Sequence, residues 1–322
     1  MTKVGFYIII ILSFYQKGTV MTTTKKALLA SFIGNSIFGF SFLASRLILN
    51  RTSVFVLLSS RFIVAFLIMN ILALLGVFKL NFKGKNLTGV IALGIAHPIV
   101  YFICESYGIE LTNSSFSGTL IAMVPIFAFF FAALFIGERF KLSQLLWGIC
   151  SVIGVIIISV GGDDSRITPI GVILLLGAVA AGAMFNVLSR MTSKEFSPFE
   201  RTYVMFALAS IVFTVCALGE THGRLPFIIG ELIVDPSFTL PLIFLAAFSS
   251  VIAFMLLNYS TTYITVRQTS IFSCWTTVVS IIAGIVFLKE PFGGIKQIVG
   301  SVLILVGVYM VSIVGSDKEQ IR

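Results

Sequence analysis

Along most of this chain, apolar residues run for stretches of about twenty positions, and polar residues gather in the short gaps between them. A run of that length lets a helix cross the hydrocarbon core of a bilayer. The pattern predicts helices near residues 27–49, 55–78, 88–110, 115–136, 144–160, 168–189, 200–219, 239–262, 266–288 and 294–314. Three starts carry local signals. Thr168-Pro169 sets an N-cap before a proline at the first helical position, where the missing N–H costs nothing. Ser197-Pro198-Phe199-Glu200 adds a capping box, and Ser143-Gln144 reads as a plainer cap. The apolar run from Gly5 to Tyr15 is too short to span and no small-residue cleavage site follows it. Met21, just ahead of Lys25 and Lys26, is the expected natural start, with residues 1–20 a dispensable extension.

Composition agrees with lipid as the main solvent. Hydrophobic residues make up 58% of the chain and charged residues 11%, with a mean hydropathy of +1.08. That leaves too little charge to face water on all sides. The net charge of +9 is spread between apolar runs and forms no basic stripe, which excludes a nucleic-acid partner. Cys104, Cys150, Cys216 and Cys274 all lie inside apolar runs without metal-ligand spacing and read as small packing residues. No metal or cofactor is expected.

The positions of the charges give a direction. With the N-terminus inside, outward loops hold only Arg51, Arg166, Arg224, Lys289 and Lys296, while fifteen cations fall on inward loops and tails. The other two, Arg46 and Arg61, lie further inside predicted spans. This positive-inside bias favours ten spans with both termini cytoplasmic, in the cell membrane.

The chain also repeats itself. Phe135, Glu138, Phe140 and Gly148 recur as Phe287, Glu290, Phe292 and Gly300 at a constant offset of 152, and Glu105 corresponds to Asn258 at 153. Five spans per repeat make the halves enter the membrane in opposite directions. The expected fold is therefore an all-α integral membrane protein of ten transmembrane helices in two inverted five-helix repeats. Residues 27–160 and 168–314 form the repeats, 161–167 the linker, 1–26 an N-terminal extension and 315–322 a cytoplasmic tail. Inverted repeats of this kind build carriers whose substrate site lies at their interface near the midplane.

The stretch from Ser117 through Pro125 to Phe127, then Gly137-Glu138-Arg139 and Gly148, resembles the drug/metabolite transporter superfamily of the EamA type. Gly39 to Arg46 and Arg61 look like that family's first helix pair, and the likeness runs through both halves after about residue 27. The family often has a proline in the ninth span, where this chain has Thr276-Thr277; Pro125 is kept in the fourth, so a paired kink would be asymmetric. The resemblance implies a bacterial-type metabolite carrier, often an exporter.

Ionisable groups at membrane depth are functional candidates by default. His97, Tyr101 and Glu105 stand at i, i+4 and i+8, along one face of the third helix beside Pro98, and could accept and release a proton in a transport cycle. The competing reading has Glu105 snorkel to the outer interface and His97 bond a backbone carbonyl. Arg61 could pair with Glu105, bind a substrate carboxylate or snorkel outward; Arg46 reads as a snorkelling anchor. The second half offers Asn186, Asn258, Tyr259 and Trp275, with Asn35 from the first span. Pseudo-symmetry places Asn258 across from Glu105 in the cavity, against the alternative of interhelical bonding alone. Glu138 and Glu290 fit topology and loop packing, while Gly148, Gly154, Gly300 and Gly307 would let spans five and ten approach.

Two function classes follow. The first is a secondary carrier of a small molecule, an amino acid or amphipathic compound, in a lipid bilayer, with protons a possible coupling partner and no Walker A motif for ATP. The second is a membrane enzyme on a lipid-linked substrate, for which the outer loop with Glu220, His222, Arg224, Glu231 and Asp235 is the only approach, without metal-ligand order. Monomer and homodimer are equally open.

Overall fold

In a computed structural model that describes residues 22–136, 142–161, 167–288 and 294–314, the helices begin where polar caps meet apolar runs. Thr168 accepts from the Gly171 N–H with Pro169 in the first turn, and Ser197 and Glu200 close the expected capping box. Helices α1 (Thr23–Leu49), α2 (Val54–Leu74), α3 (Thr88–Glu110), α4 (Ser114–Ile121 continuing as Val124–Ile136) and α5 (Leu142–Gly161) make up the first half. The second half holds α6 (Pro169–Thr192), α7 (Pro198–Glu220), α8 (Pro236–Tyr263), α9 (Val266–Ile271 continuing as Ser273–Leu288) and α10 (Gly294–Val314). Seven of the described helices are long and apolar enough to cross a membrane, and two shorter apolar helices lie in α9 and α10. The expected start at Met21, and Glu138 and Glu290, lie outside the described residues.

Helix bounds differ from the sequence reading at several ends, and one loop holds an extra helix. Helix α5 already begins at Leu142, so Ser143 lies in its first turn and is not its cap. Helix α2 ends at Leu74, four residues early. There Gly76 adopts φ +69°, its N–H bonds the Ala73 carbonyl, and the Val77 N–H bonds that of Leu72. That is a Schellman ending, which needs a residue that tolerates a left-handed backbone. A short helix, Leu225–Leu232, fills the loop before α8, where a search for twenty-residue runs has no means to see it.

Packing follows the repeat. Helix α1 packs on α8 as α6 packs on α3, α1 lies against α9 as α6 lies against α4, and α2 meets α8 as α7 meets α3. The pairs α2–α7, α4–α9 and α5–α10 each map onto themselves when the halves are exchanged. The interruptions match too. Helix α3 breaks at His97, whose backbone is extended (φ −147°, ψ 115°) because the following Pro98 disfavours the helical region. Helix α8 carries a wide-turn stretch over Phe244–Ile252, which contains the position 152 residues after His97. Helix α4 breaks between Ile121 and Val124, and α9 between Ile271 and Ser273 without any proline there. The expected asymmetry of the fourth and ninth helices is thus corrected: Thr277 Oγ1 donates to the Gly118 carbonyl at 2.6 Å and Thr276 Oγ1 to that of Asn35 at 3.1 Å, tying α9 to both neighbours.

Close approach depends on glycine at two crossings. A Cβ on Gly154 would stand 2.6 Å from the Gly300 carbonyl oxygen, which brings α5 and α10 into contact as the small residues suggested; Gly148 instead faces Ile126 of α4. A Cβ on Gly118 would stand 1.7 Å from Ser280 Oγ. Gly118→Ala is therefore expected to lower stability by about 1–3 kcal/mol through overpacking. A denaturation midpoint unchanged from wild type would contradict this contact, and Ser280→Gly on the same chain should recover part of the loss.

Candidate functional site

A buried charge on α2 anchors the site. Arg61 is 1% exposed, so its stem does not snorkel to either surface. Its Nε donates to Ser250 Oγ and its Nη2 to Ser249 Oγ, both at 2.9 Å, across the seam onto the wide-turn stretch of α8. The guanidinium carbon lies 4.1 Å from the centroid of the Phe102 ring and 5.4 Å from that of Phe62. Aromatic faces attract a cation, and more strongly where water is excluded. Two ion pairs occur among the described residues, Arg51–Asp235 and Lys85–Glu200, and neither reaches Arg61. The expected Arg61–Glu105 pair is thus not formed, although the two charges act on each other through the field.

Helix α3 supplies the rest. Glu105 is 2% exposed, which removes the snorkelling alternative. One carboxyl oxygen meets the Tyr101 hydroxyl at 3.4 Å, while the buried Oε2 has no hydrogen-bond partner. His97 stacks on Tyr101 with ring centroids 4.0 Å apart, meets Phe102, Phe185 and Phe254 at 4.9–5.3 Å, and leaves its buried Nδ1 unpartnered. Buried polar atoms are nearly always satisfied, so two orphans on one helix, both in residues that touch Tyr101, are an anomaly in a structural role. The structure thus brings Arg61, His97, Tyr101 and Glu105 together, walled by phenylalanines from α2, α3, α6 and α8.

The remaining candidates lie elsewhere. Asn258 Oδ1 accepts from Ser189 Oγ at 2.7 Å and its amide donates to Thr202 Oγ1 at 3.0 Å, so it bridges helices and does not face Glu105. Tyr259 is buried beside Tyr263, with ring centroids 4.8 Å apart. Asn35 donates to the Ser31 carbonyl and accepts from Thr276. Trp275 stacks on Phe32 and donates to Ser36 Oγ at 2.8 Å, on a partly exposed face of α1 and α9. Asn186 is half-buried on α6.

Sequence reasoning passed over the cations at the helix ends. Arg46 is no lipid anchor: its guanidinium donates to the carbonyls of Ile109 and Glu110, the last turn of α3. Arg190 does the same for Thr261 and Thr262 at the end of α8. These are repeat counterparts, each setting a cation on the negative end of a helix. Arg201, counted above as a loop charge, is fully buried and donates to the carbonyls of Ser189 and Asn258 and to Thr262 Oγ1. A cation one residue past the capping box, hence in the first helical turn, was the available signal.

Two polar latches hold the ends of the α2–α7 pair. At one, Glu200 is gripped by Lys85 at 2.9 Å and by the Asn81 N–H at 2.8 Å, and is nearly buried. At the other, Ser53 Oγ donates to Glu220 at 2.7 Å and the exposed Arg51 meets Asp235 at 2.7 Å. The Asp235 carboxyl is held below the usual aspartate range, first by hydrogen bonds from Ser237 and then by Arg51. A depressed pKa contributes above the unfolded value and is lost as pH falls through the folded one. Stability between pH 7 and 5 is therefore expected to be the same in Asp235→Asn as in wild type apart from a constant offset, with the curves converging only below about pH 4. Melting curves across that range would check it. Glu220 and Asp235 of this loop are thus engaged in helix contacts, and no metal-competent cluster occurs among the described residues.

A profile of the EamA-like transporter family matches residues 25–160 and again residues 169–313. The uncharacterized transporter YcxC of Bacillus subtilis is 31% identical over 88% of this chain and 91% of its own. An uncharacterized transporter of Archaeoglobus fulgidus is 26% identical over 86% and 95%. A protein of Streptantibioticus cattleyicolor named a probable terminal-alkyne amino-acid exporter is 26% identical, but over only 35% of this chain and 39% of its own. One crystal structure shares the fold at a TM-score of 0.63 and 16% identity, covering 90% of this chain and 98% of that one.

Proposed function

The chain belongs to the EamA-like transporter family, a family of multi-pass membrane proteins, and on that premise we propose that it is a secondary carrier exporting a small metabolite by alternating access. Its ten spans form two inverted five-helix repeats with both termini in the cytoplasm, and the site lies on the seam between them. The observation that carries this is a set of buried ionisable groups where α2 and α3 of one half meet α8 of the other: Arg61, hydrogen-bonded but without an ion-pair partner among the described residues, and His97 and Glu105, each with an unpartnered atom. An arginine without a counter-ion and a carboxylate without a full set of donors cost stability unless function needs them. Tyr101 orients Glu105, and Ser249 and Ser250 orient Arg61.

The paired helix interruptions support the mechanism. Breaks in α3 and α8, and in α4 and α9, give each half flexible points at matching depths around the site. In the proposed orientation the Lys85–Glu200 latch and Arg201 close the cytoplasmic end, while the thinner Arg51–Asp235 contact lies outside. Proton movement through Glu105 and His97 would couple transport to the pH gradient. The amino-acid exporter named among the relatives favours outward movement and makes amino acids the first solutes to test.

Purified protein in proteoliposomes, screened for counterflow of amino acids, apolar monocarboxylates and cationic drugs with and without a pH gradient, tests the reading. Flux above empty liposomes for at least one solute is expected. Flux equal to empty liposomes for every solute would refute it.

A further inference from the structure

Arg61 is a buried cation whose partners are two hydroxyls and the faces of two aromatic rings, with no carboxylate within ion-pair distance among the described residues. Hydroxyls and ring faces orient a guanidinium but leave its charge uncompensated at short range, and a guanidinium has a fork suited to a carboxylate. Glu105 is buried on α3 with Oε2 unpartnered, close enough to act on Arg61 electrostatically yet not bonded to it. Phe62 and Phe102 lie against Arg61, and Phe185 and Phe254 meet His97, which is stacked on Tyr101. The cluster thus offers one anion-binding fork, one carboxyl that can carry a proton, and apolar faces.

From these placements we infer that the substrate is a small monocarboxylate with an apolar body, held by Arg61, and that one proton binds on Glu105 together with it. The inference rests on the carrier reading above and narrows it to a ligand class. Charge balance gives the reason. Arg61 and ionised Glu105 sum to zero; a bound carboxylate would leave the enclosed site with net negative charge, which a low-dielectric interior penalises. A proton on Glu105 restores neutrality and turns its unpartnered oxygen into a hydroxyl donor facing the ligand. Arg61 on α2 is the charge that acts on Glu105, and Tyr101 and His97 on its own helix are the other titratable groups in contact with this cluster. On α8, the groups facing Arg61 are the neutral Ser249 and Ser250.

The test uses the full-length purified protein and four matched probes: 3-phenylpropionate, 3-phenylpropionamide, 3-phenylpropylamine and L-phenylalanine. Binding is read by thermal shift and by proton uptake in weakly buffered solution. The propionate alone is expected to bind strongly, with uptake of one proton and an affinity that strengthens by up to about tenfold for each unit the pH is lowered. Glu105→Gln, which mimics the protonated carboxyl, should bind the propionate without proton uptake and without the pH slope. Arg61→Gln should lose at least about tenfold in affinity, or about 1.4 kcal/mol, while Arg61→Lys, which keeps the charge, retains part of it. Equal binding of the amide, a preference for the amine or the zwitterion, or no binding of the propionate would each overturn the inference. Counterflow of cationic drugs alongside any of those outcomes would leave the carrier reading standing; absence of all counterflow would remove that reading instead.

Discussion

Glu105→Gln is expected to lower net substrate flux in proteoliposomes by at least about tenfold, equivalent to about 1.4 kcal/mol, and to abolish its dependence on a pH gradient. The substitution keeps the size and the Tyr101 contact but removes the proton that the cycle must take up and release. Because Glu105 is buried with an unpartnered oxygen, neutralising it should not unfold the chain, and its melting temperature should match or exceed that of wild type. Stability and transport therefore move apart, which a packing role would not produce. His97→Ala should show a smaller loss and a shifted pH profile. Wild-type flux and an unchanged pH response in both variants would remove the coupling role.

Arg201→Ala is expected to have the reverse signature: a loss of stability on the order of 3 kcal/mol, from losing several buried hydrogen bonds to a charged group and the packing of a fully buried side chain. The side chain reaches Ser189, Asn258 and Thr262, so it joins the ends of α6 and α8 to the first turn of α7. Removing it takes away these bonds, which cross between the three helices. Thermal unfolding in detergent would read the effect, and a midpoint within one degree of wild type would show that the network is not structural. Arg190→Ala, on the part-buried contact with the last turn of α8, should cost clearly less.

Helix positions were legible because lipid imposes a length, and length survives in a sequence as an apolar run. The caps at Thr168 and Ser197 were legible for a local reason, since cap and helix lie within four residues. Ser143 misled because a serine before an apolar run is also at home inside a first turn. The α3 face of His97, Tyr101 and Glu105 could be read from its spacing, and Arg61 from its depth. Ser249 and Ser250 could not: two serines in an apolar run have no distinguishing spacing, and only the crossing of α2 over α8 gives them a role. Asn258 shows the limit of repeat arguments. Its place in the sequence repeat matches that of Glu105, but Ser189, Thr202 and Arg201 bond its side chain and carbonyl and hold it in a network between helices. The end-capping arginines were hidden for a related reason, because a cation near a helix end looks the same whether it faces water or a neighbouring helix's last carbonyls.

Alternating access is the central claim, and one measurement addresses it without knowledge of the substrate. A single cysteine placed at Ser249, in a chain with its four native cysteines replaced, is labelled in oriented vesicles by a membrane-impermeant maleimide applied from one face at a time. The account predicts slow labelling from both faces, faster from the outer face in the wild-type background. Opening the Lys85–Glu200 latch with Glu200→Gln should shift the preference to the cytoplasmic face. Labelling from one face only, with no shift when the latch is opened, would contradict a site that the two halves expose in turn.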